Sequence, residues 1–272
     1  MTAPKLHIEM INLVRATDRR TRMEAELKNA GVKANFHPAY DMQAHPREEM
    51  LTQCRTEGPW GVFQDGNMAI TISHAQVWER FLETDATHCL VMEDDIFIAP
   101  EMGQWVSDLS WWPADADMVK LERWRGNKLK VLLSENTQHV RGRHITRLLS
   151  RHVGAAGYIL TRKAAQSFLA TRPFDITVDN LLFNFNASRA ARALRVYQIT
   201  PALIEQGNEP AEMFRKTTVK LRPKGLALLR QKIRRGYHEV AYPLPTLLKF
   251  LSGRARLHQI PYAAGPVEGG AP

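Results

Sequence analysis

The sequence predicts an α/β fold with a mostly parallel central sheet flanked by helices. Three observations carry this. The chain opens strand–helix–strand, with "KLHIEMINLV", "RRTRMEAELKNAG" and "VKANFHPAYD" in succession. Two strands joined through a helix run parallel by a right-handed crossover. The run "HCLVM" is continuously apolar, as suits a strand buried on both faces. Helical and extended patterns then keep alternating to about residue 206, the rhythm of a layered α/β domain.

In "KLHIEMINLV" alternation gives way to a continuous apolar stretch, so this is the first buried strand. Thr17 or Asp18 is placed to cap the helix that follows. Met23, Leu27 and Ala30 share one face of that helix, and Gly31 stops it. The second strand ends between Pro38 and Asp41. Residues 42–65 read as irregular, with Pro46 and Gly58–Pro59 as breakers. "NMAITISHAQVWERFLETD" is a helix with Ile70, His74, Val77 and Phe81 on one stripe. "HCLVMEDDIFI" is the third strand and its exit. A short helix closed by Pro113, a strand "MVKLERW" and the β-like pieces "KVLLS" and "HITRLLS" come next. "GAAGYILTRKAAQSFLAT" gives a strand and a helix, and "DITVDNLLFNFNAS" with "LRVYQITPALIEQ" completes the body.

At 272 residues the chain suits one large domain, or one domain with a tail. Hydrophobic residues at 44% and charged residues at 24% are ordinary for a globular protein, so a disordered chain is excluded. Two cysteines, Cys54 and Cys89, make no disulfide framework and point to a reducing compartment. No apolar stretch reaches the length of a membrane span, and the first residues lack signal-peptide anatomy. The expected location is the cytoplasm. Charge divides the chain in two: residues 1–214 are near neutral at −1, and residues 215–272 carry 12 Lys/Arg against 2 Asp/Glu. We therefore expect a catalytic-sized domain over 1–214 and a basic, partly amphipathic extension over 215–272. In "GLALLRQKIRRGYHEV", Leu226, Leu229, Ile233 and Tyr237 form one stripe among basic residues. That pattern fits the surface of an anionic membrane, or else a helix packed on the body with a solvated basic face. The tail has little aromatic interleaving and no nucleic-acid motif, so no nucleic acid is expected.

Three carboxylates, Glu93, Asp94 and Asp95, end the apolar run. Ligands of open parallel sheets bind beyond the carboxyl ends of strands. Glu93 and Asp95, two apart on extended chain, point to the same side and could share one hard divalent cation, Mn²⁺ or Mg²⁺. The alternative for this segment alone is a solvated acidic loop.

The ordered set "INLVRATDRR", "AYDMQ", "DGNMAITISHAQVW", "VMEDD", "GAAGYILTRKAA" and "VDNLLFN" resembles glycosyltransferase family 25. The resemblance runs from about Leu6 to Gln206. The family includes bacterial enzymes that add galactose or other sugars to lipopolysaccharide or lipooligosaccharide cores, and the collagen galactosyltransferases. It implies a GT-A-like fold, a UDP-sugar donor, a manganese-binding acidic motif and a saccharide or glycolipid acceptor. An enzyme of this kind could sit peripherally on the inner face of the cytoplasmic membrane. Two segments depart from the family's usual residues: Gly66-Asn67-Met68-Ala69 replaces Gly-Glu-Ile-Gly, and Tyr40-Asp41-Met42 replaces Val-Asp-Gly.

The resemblance assigns Glu93 and Asp95 to the cation, with Asp94 on the ribose or supporting its neighbours. Asn12, Arg15, Asp18 and Arg19, in the loop after the first strand, would face the nucleotide, as would Asp41; Asp18 could instead only cap its helix. Ser73 and His74 match the family's Ser-His, with His74 on the diphosphate or orienting the acidic turn. A lone His on an apolar stripe is equally a hydrogen-bonded core residue. Asp179 is the expected site acid, as base for an inverting displacement or as a sugar contact, with Asp175 as rival; one of the two could instead only cap the helix that follows. The same acids and basic surface would also suit a metal-dependent phosphodiesterase or nuclease, or a non-enzymatic nucleic-acid-binding protein acting through the tail.

Overall fold

The computed structural model describes residues 4–124, 129–207, 225–241 and 244–263. The sequence boundary at 214/215 lies outside them. The chain folds around a nine-stranded sheet. Its order is β14 (Ala255–Gln259), β9 (Lys130–Val140), β10 (Arg143–Leu148), β12 (Val196–Thr200), β7 (Met118–Lys120), β11 (Gly157–Thr161), β5 (His88–Glu93), β1 (Leu6–Asn12) and β2 (Asn35–Pro38). Six strands share one direction; β11, β10 and β14 oppose them. The expected parallel opening is present: β1 pairs in parallel with β2 on one side and with β5 on the other. The strand order therefore reverses at β1, and the carboxyl ends of β1 and β5 meet where it does, with Ile11 beside Glu93.

Alternation along the central strands feeds two cores. Cys89 and Val91 of β5, with Tyr158 and Leu160 of β11, face one side. There they meet Trp78 and Phe81 of α3 (Asp65–Glu83) and Phe168 of α5 (Arg162–Leu169). Leu90 and Met92, with Ile159, face the other side. They meet Met23 and Leu27 of α1 (Thr17–Asn29) and Trp105 of α4 (Met102–Ser107). A sheet apolar on both faces needs cover on both, and each fully buried Phe contributes roughly 1.5–3 kcal/mol. Both cysteines are buried and free.

Several elements differ from their sequence reading. Helix α1 is capped by Ala16, so Thr17 and Asp18 lie inside its first turn, where Asp18 favours the dipole. Gly31 stops the helix as expected, at φ +66°. The helix α4 ends at Ser107, six residues before Pro113, because Asp108 turns the chain by accepting from the Ser110 N–H at 2.9 Å. "MVKLERW" is two strands. Leu121 switches the chain from β7 into β8 (Glu122–Trp124), which forms a small second sheet with β13 (Ile204–Gln206) and β6 (Ile96–Ile98).

The basic extension is partly structural. It forms α8 (Leu226–Ala241) and α9 (Leu244–Leu251) and then returns as β14 to pair with β9 at the sheet edge. Buried Arg143 fastens this end, pairing with Glu101 and donating to the carbonyls of Pro201 at 2.8 Å and Ala263 at 2.9 Å.

Candidate active site

The alternation that builds the two cores continues through the acidic turn. Glu93 leaves β5 on the α3 side, where the Nε2 of His74 meets its Oε1 at 3.1 Å. Asp94 leaves on the α1 side and is buried. Its Oδ2 accepts from Asn12 Nδ2 at 2.6 Å and its Oδ1 from Arg19 Nη1 at 2.7 Å. Arg22 holds the backbone of the same turn, donating to the carbonyls of Ile96 at 2.9 Å and Asp94 at 3.0 Å. Asp95 returns to the side of Glu93. Both accept from one amide, Nε2 of Gln206, at 3.0 Å for Asp95 Oδ2 and 3.5 Å for Glu93 Oε2. The three acids are thus divided: Asp94 has its cation in the fold, and Glu93 and Asp95 converge on a neutral amide.

His74 is fully buried and acts on Glu93 through a chain of donors. Trp78 Nε1, which can only donate, gives its hydrogen to Tyr158 Oη at 2.9 Å, and Tyr158 Oη lies 2.8 Å from His74 Nδ1. The tyrosine then donates to Nδ1, which leaves the proton on Nε2 to face Glu93. Burial pushes the imidazole down to about 3, so it is neutral. Its place on the apolar stripe is that of a hydrogen-bonded core histidine that also orients the acidic turn. Its neighbour Ser73 is committed to backbone, donating to the Ala69 carbonyl and accepting from the Tyr40 N–H, both at 2.8 Å. It anchors the loop that carries Asp41.

Behind the acids lies a fully buried ion pair, Lys120 and Glu122, at 3.2 Å. Lys120 Nζ also donates to the Gly154 carbonyl at 2.7 Å and stands 4.1 Å from the centre of the Phe183 ring. Glu122 Oε2 accepts from the Gly157 N–H at 2.9 Å. Burial pushes Lys120 down, against the pull of Glu122, Asp179 and Glu93. Burial, then the charge of Asp94, raises Glu93 to about 7 against Lys120 and Arg19. Burial, then Glu93, raises Asp95 to about 7 as well. Asp179 adds to the field on Glu93 and on Lys120. It sits in the first turn of α6 (Val178–Phe183), its Oδ1 held by the Thr177 hydroxyl and by Asn180 Nδ2.

These residues fit a divalent cation. Two carboxylates face one point, burial and the neighbouring acids hold both at raised pKa, and Asp95 Oδ1 is buried without a partner. Among the described residues no group of three or more His, Cys, Asp or Glu is placed to hold a metal ion. Two carboxylates alone would hold such an ion incompletely, as Mg²⁺-type ions are held by one or two carboxylates plus substrate phosphates.

The remaining candidates lie at the rim or elsewhere. Arg15 and Asp41 form an ion pair, linking the loops after β1 and β2. Burial works against the Asp41 charge, but the Gln43 N–H and the Arg15 guanidinium keep its carboxyl below the usual range. Asp18 is exposed. Asp175 lines a different cleft of about 370 Å³, with Pro59, Phe174 and Arg189.

The model of glycosyltransferase family 25 (LPS biosynthesis protein) matches residues 5–182. The chain belongs to glycosyltransferase family 25. It is 24% identical to "Lacto-N-neotetraose biosynthesis glycosyltransferase LgtE" of Neisseria meningitidis over 218 residues, 77% of each chain. It is 29% identical to "Lacto-N-neotetraose biosynthesis glycosyltransferase LgtB" of Neisseria gonorrhoeae over 209 residues, 72% of this chain and 73% of that one. It is 24% identical to "Lipooligosaccharide biosynthesis protein lic2B" of Haemophilus influenzae over 217 residues, 74% and 76%. The protein is thus a glycosyltransferase, and the nuclease and binding-protein alternatives fall away.

The site of this family 25 transferase also contains residues that sequence reasoning missed: Arg22, Lys120, Glu122, Tyr158 and Gln206. A signal existed for one pair. Lys120 and Glu122 put two opposite charges two apart inside an apolar strand, the spacing of one strand face.

The raised carboxyls make stability depend on pH in a defined direction. Between the ordinary carboxylate range and about pH 7 the folded, metal-free protein holds protons that the unfolded chain has lost, so stability falls as pH rises. His74 and His152, both pushed down to about 3 by burial, act oppositely below the ordinary His range, but equally in wild type and variant. In EDTA, urea unfolding of Asp95→Asn should gain on the order of 3 kcal/mol relative to wild type between pH 4 and pH 8. A difference constant with pH would contradict the assignment.

Proposed function

We propose that this transferase moves a hexose, galactose in the first instance, from a UDP-sugar to a saccharide acceptor of a bacterial glycolipid or surface polysaccharide. We further propose that it inverts the anomeric carbon and needs Mn²⁺ or Mg²⁺. One observation carries the reading: Glu93 and Asp95 converge on a single point where the sheet's strand order reverses, the usual ligand crevice of an open α/β sheet. The relatives' names, which refer to lacto-N-neotetraose and lipooligosaccharide biosynthesis, support an oligosaccharide acceptor.

Each residue has a task in the displacement. The acceptor oxygen bonds to the anomeric carbon while the bond from that carbon to the diphosphate oxygen breaks, its electron pair leaving with UDP. Asp179 receives the hydroxyl proton. Its Oδ1 is held by Thr177 and Asn180, and among the described residues no hydrogen bond engages Oδ2. The separate cleft around Asp175 favours Asp179 as the base. Glu93 and Asp95 would hold the cation, which takes up the charge growing on the leaving diphosphate. Arg15, Asp18 and Asp41, at the rim, are available to the uridine and ribose; Asn12, Arg19 and Asp94 hold the turn beneath.

The extension supports a place on the membrane surface. In α8, Leu226, Leu229, Ile233 and Tyr237 are each 53–74% exposed. In α9, Leu244, Leu247, Leu248 and Leu251 are each 47–70% exposed. These stripes are largely exposed, and the segment that carries them has a net charge of +10. Among the described residues no helix is long and apolar enough to cross a membrane. An apolar stripe flanked by Lys and Arg suits the interface of an anionic bilayer, here the inner face of the cytoplasmic membrane.

Asp95→Ala should lower kcat/KM by on the order of 10³, about 4 kcal/mol, in a donor panel run with Mn²⁺ and with EDTA. Near-wild-type turnover would remove the metal role. Ile233→Asp with Leu248→Asp, on the whole chain, should weaken binding to phosphatidylglycerol-containing vesicles by about tenfold or more at unchanged Tm. Unchanged binding would rule out the helices as the anchor.

A further inference from the structure

The acidic turn has a third member that is not an acid. Gln206 ends β13, is 7% exposed and gives its amide hydrogens to Asp95 and Glu93. Its own Oε1 is buried and accepts nothing, and Glu122 Oε1 is likewise buried and accepts nothing. The two idle oxygens face the same small space. It exists because residue 154 is glycine, at φ +82°: a Cβ there would stand 1.8 Å from Glu122 Oε1 and 3.4 Å from Gln206 Oε1. Two buried acceptors bordering one space, neither with a donor, is an unfavourable arrangement.

A half-turn of the Gln206 amide removes the conflict. The two ends of an amide have nearly the same shape and opposite hydrogen-bonding character. After the half-turn the NH₂ faces the space that Glu122 Oε1 also faces, so a donor stands where two acceptors stood. The carbonyl oxygen then takes the NH₂ position, 3.0 Å from Asp95 Oδ2 and 3.5 Å from Glu93 Oε2. An oxygen at those distances from two carboxylate oxygens is repelled by both unless a cation lies among them. Adjacent oxygens around a small octahedral ion with bonds of 2.0–2.1 Å are roughly 3 Å apart. The side chain's two orientations therefore match two states of the site: the NH₂ stands in for positive charge when no cation is bound, and the carbonyl joins the acids when one is.

We propose that Gln206 is the third protein ligand of the divalent cation, and that Glu122 is the positioning residue that holds its amide in the ligating orientation. The proposal rests on the cation reading of Glu93 and Asp95 given above. The all-oxygen set selects a hard ion such as Mg²⁺ or Mn²⁺. The nearby His74 does not compete, because its Nε2 is spent on Glu93.

The test is calorimetric titration of Mn²⁺ into the whole chain saturated with UDP, with binding of UDP in EDTA as the control. Gln206→Leu should weaken Mn²⁺ by about tenfold or more and leave metal-free UDP binding unchanged. Glu122→Gln, which offers Gln206 either end of an amide, should weaken Mn²⁺ less. Asp95→Ala should abolish Mn²⁺ binding. If Asp95→Ala loses Mn²⁺ while Gln206→Leu binds it like wild type, Gln206 is no ligand and the carboxylate site stands. If neither variant changes Mn²⁺ binding, the cation reading itself fails. Should Gln206→Leu not fold, Gln206→Glu decides: it keeps an oxygen at the position and should bind Mn²⁺ at least as tightly as wild type. Weaker binding by that variant would overturn the proposal.

Discussion

A carboxylate at the end of a buried strand must find positive charge or take up a proton. β5 ends in three carboxylates, and the pleat sends them to different sides. Asp94 meets Arg19 and Asn12 on the α1 side. Glu93 and Asp95 meet only neutral donors at close range, His74 and the amide of Gln206, and lean on Lys120 and Arg19 from farther off. That shortage of positive charge organises the rest of the site. Burial and the neighbouring acids raise their pKa values, and the cation proposed for the site would supply the missing positive charge.

The fold supplies rigid support to hold that imbalance in place. α3 runs through one core with ten buried residues, and Trp78 and His74 on it reach Tyr158 of β11 and Glu93 of β5. A turn of one helix, a central strand and the acidic turn are thereby joined by a chain of hydrogen bonds. On the opposite face α1 reaches the same turn through Arg19 and Arg22. The second sheet brings Gln206 and Glu122 from below, and its strands β8 and β6 are continuations of chain leaving β7 and β5. Residues distant in sequence therefore meet because the two sheets branch where the acids stand.

Much of this was legible in the sequence. The opening strands, the helix with Ser73 and His74, the apolar run and the acids at its end all follow from periodicity and breakers, and they are local. What stayed hidden depends on long-range placement. The switch of sheet at Leu121 leaves no mark, because "MVKLERW" alternates across it as one strand would. "ARLHQ" has a single large apolar residue, Leu257, and becomes β14 through edge pairing with β9. Gln206 is an ordinary polar strand end until the fold brings it to Glu93 from 113 residues away. Ser73 matched a site pattern and its hydroxyl bonds to backbone here; Asp94 bonds Asn12 and Arg19, in keeping with the supporting role, one of the two expected of it.

The measurement that bears most directly on this account is a crystal structure with UDP and Mn²⁺ bound. The account predicts the cation between the diphosphate and the carboxylates of Glu93 and Asp95, at oxygen distances of about 2.0–2.2 Å. A complex in which UDP and manganese bind while both carboxylates remain on the Gln206 amide, turned away from the diphosphate, would contradict it.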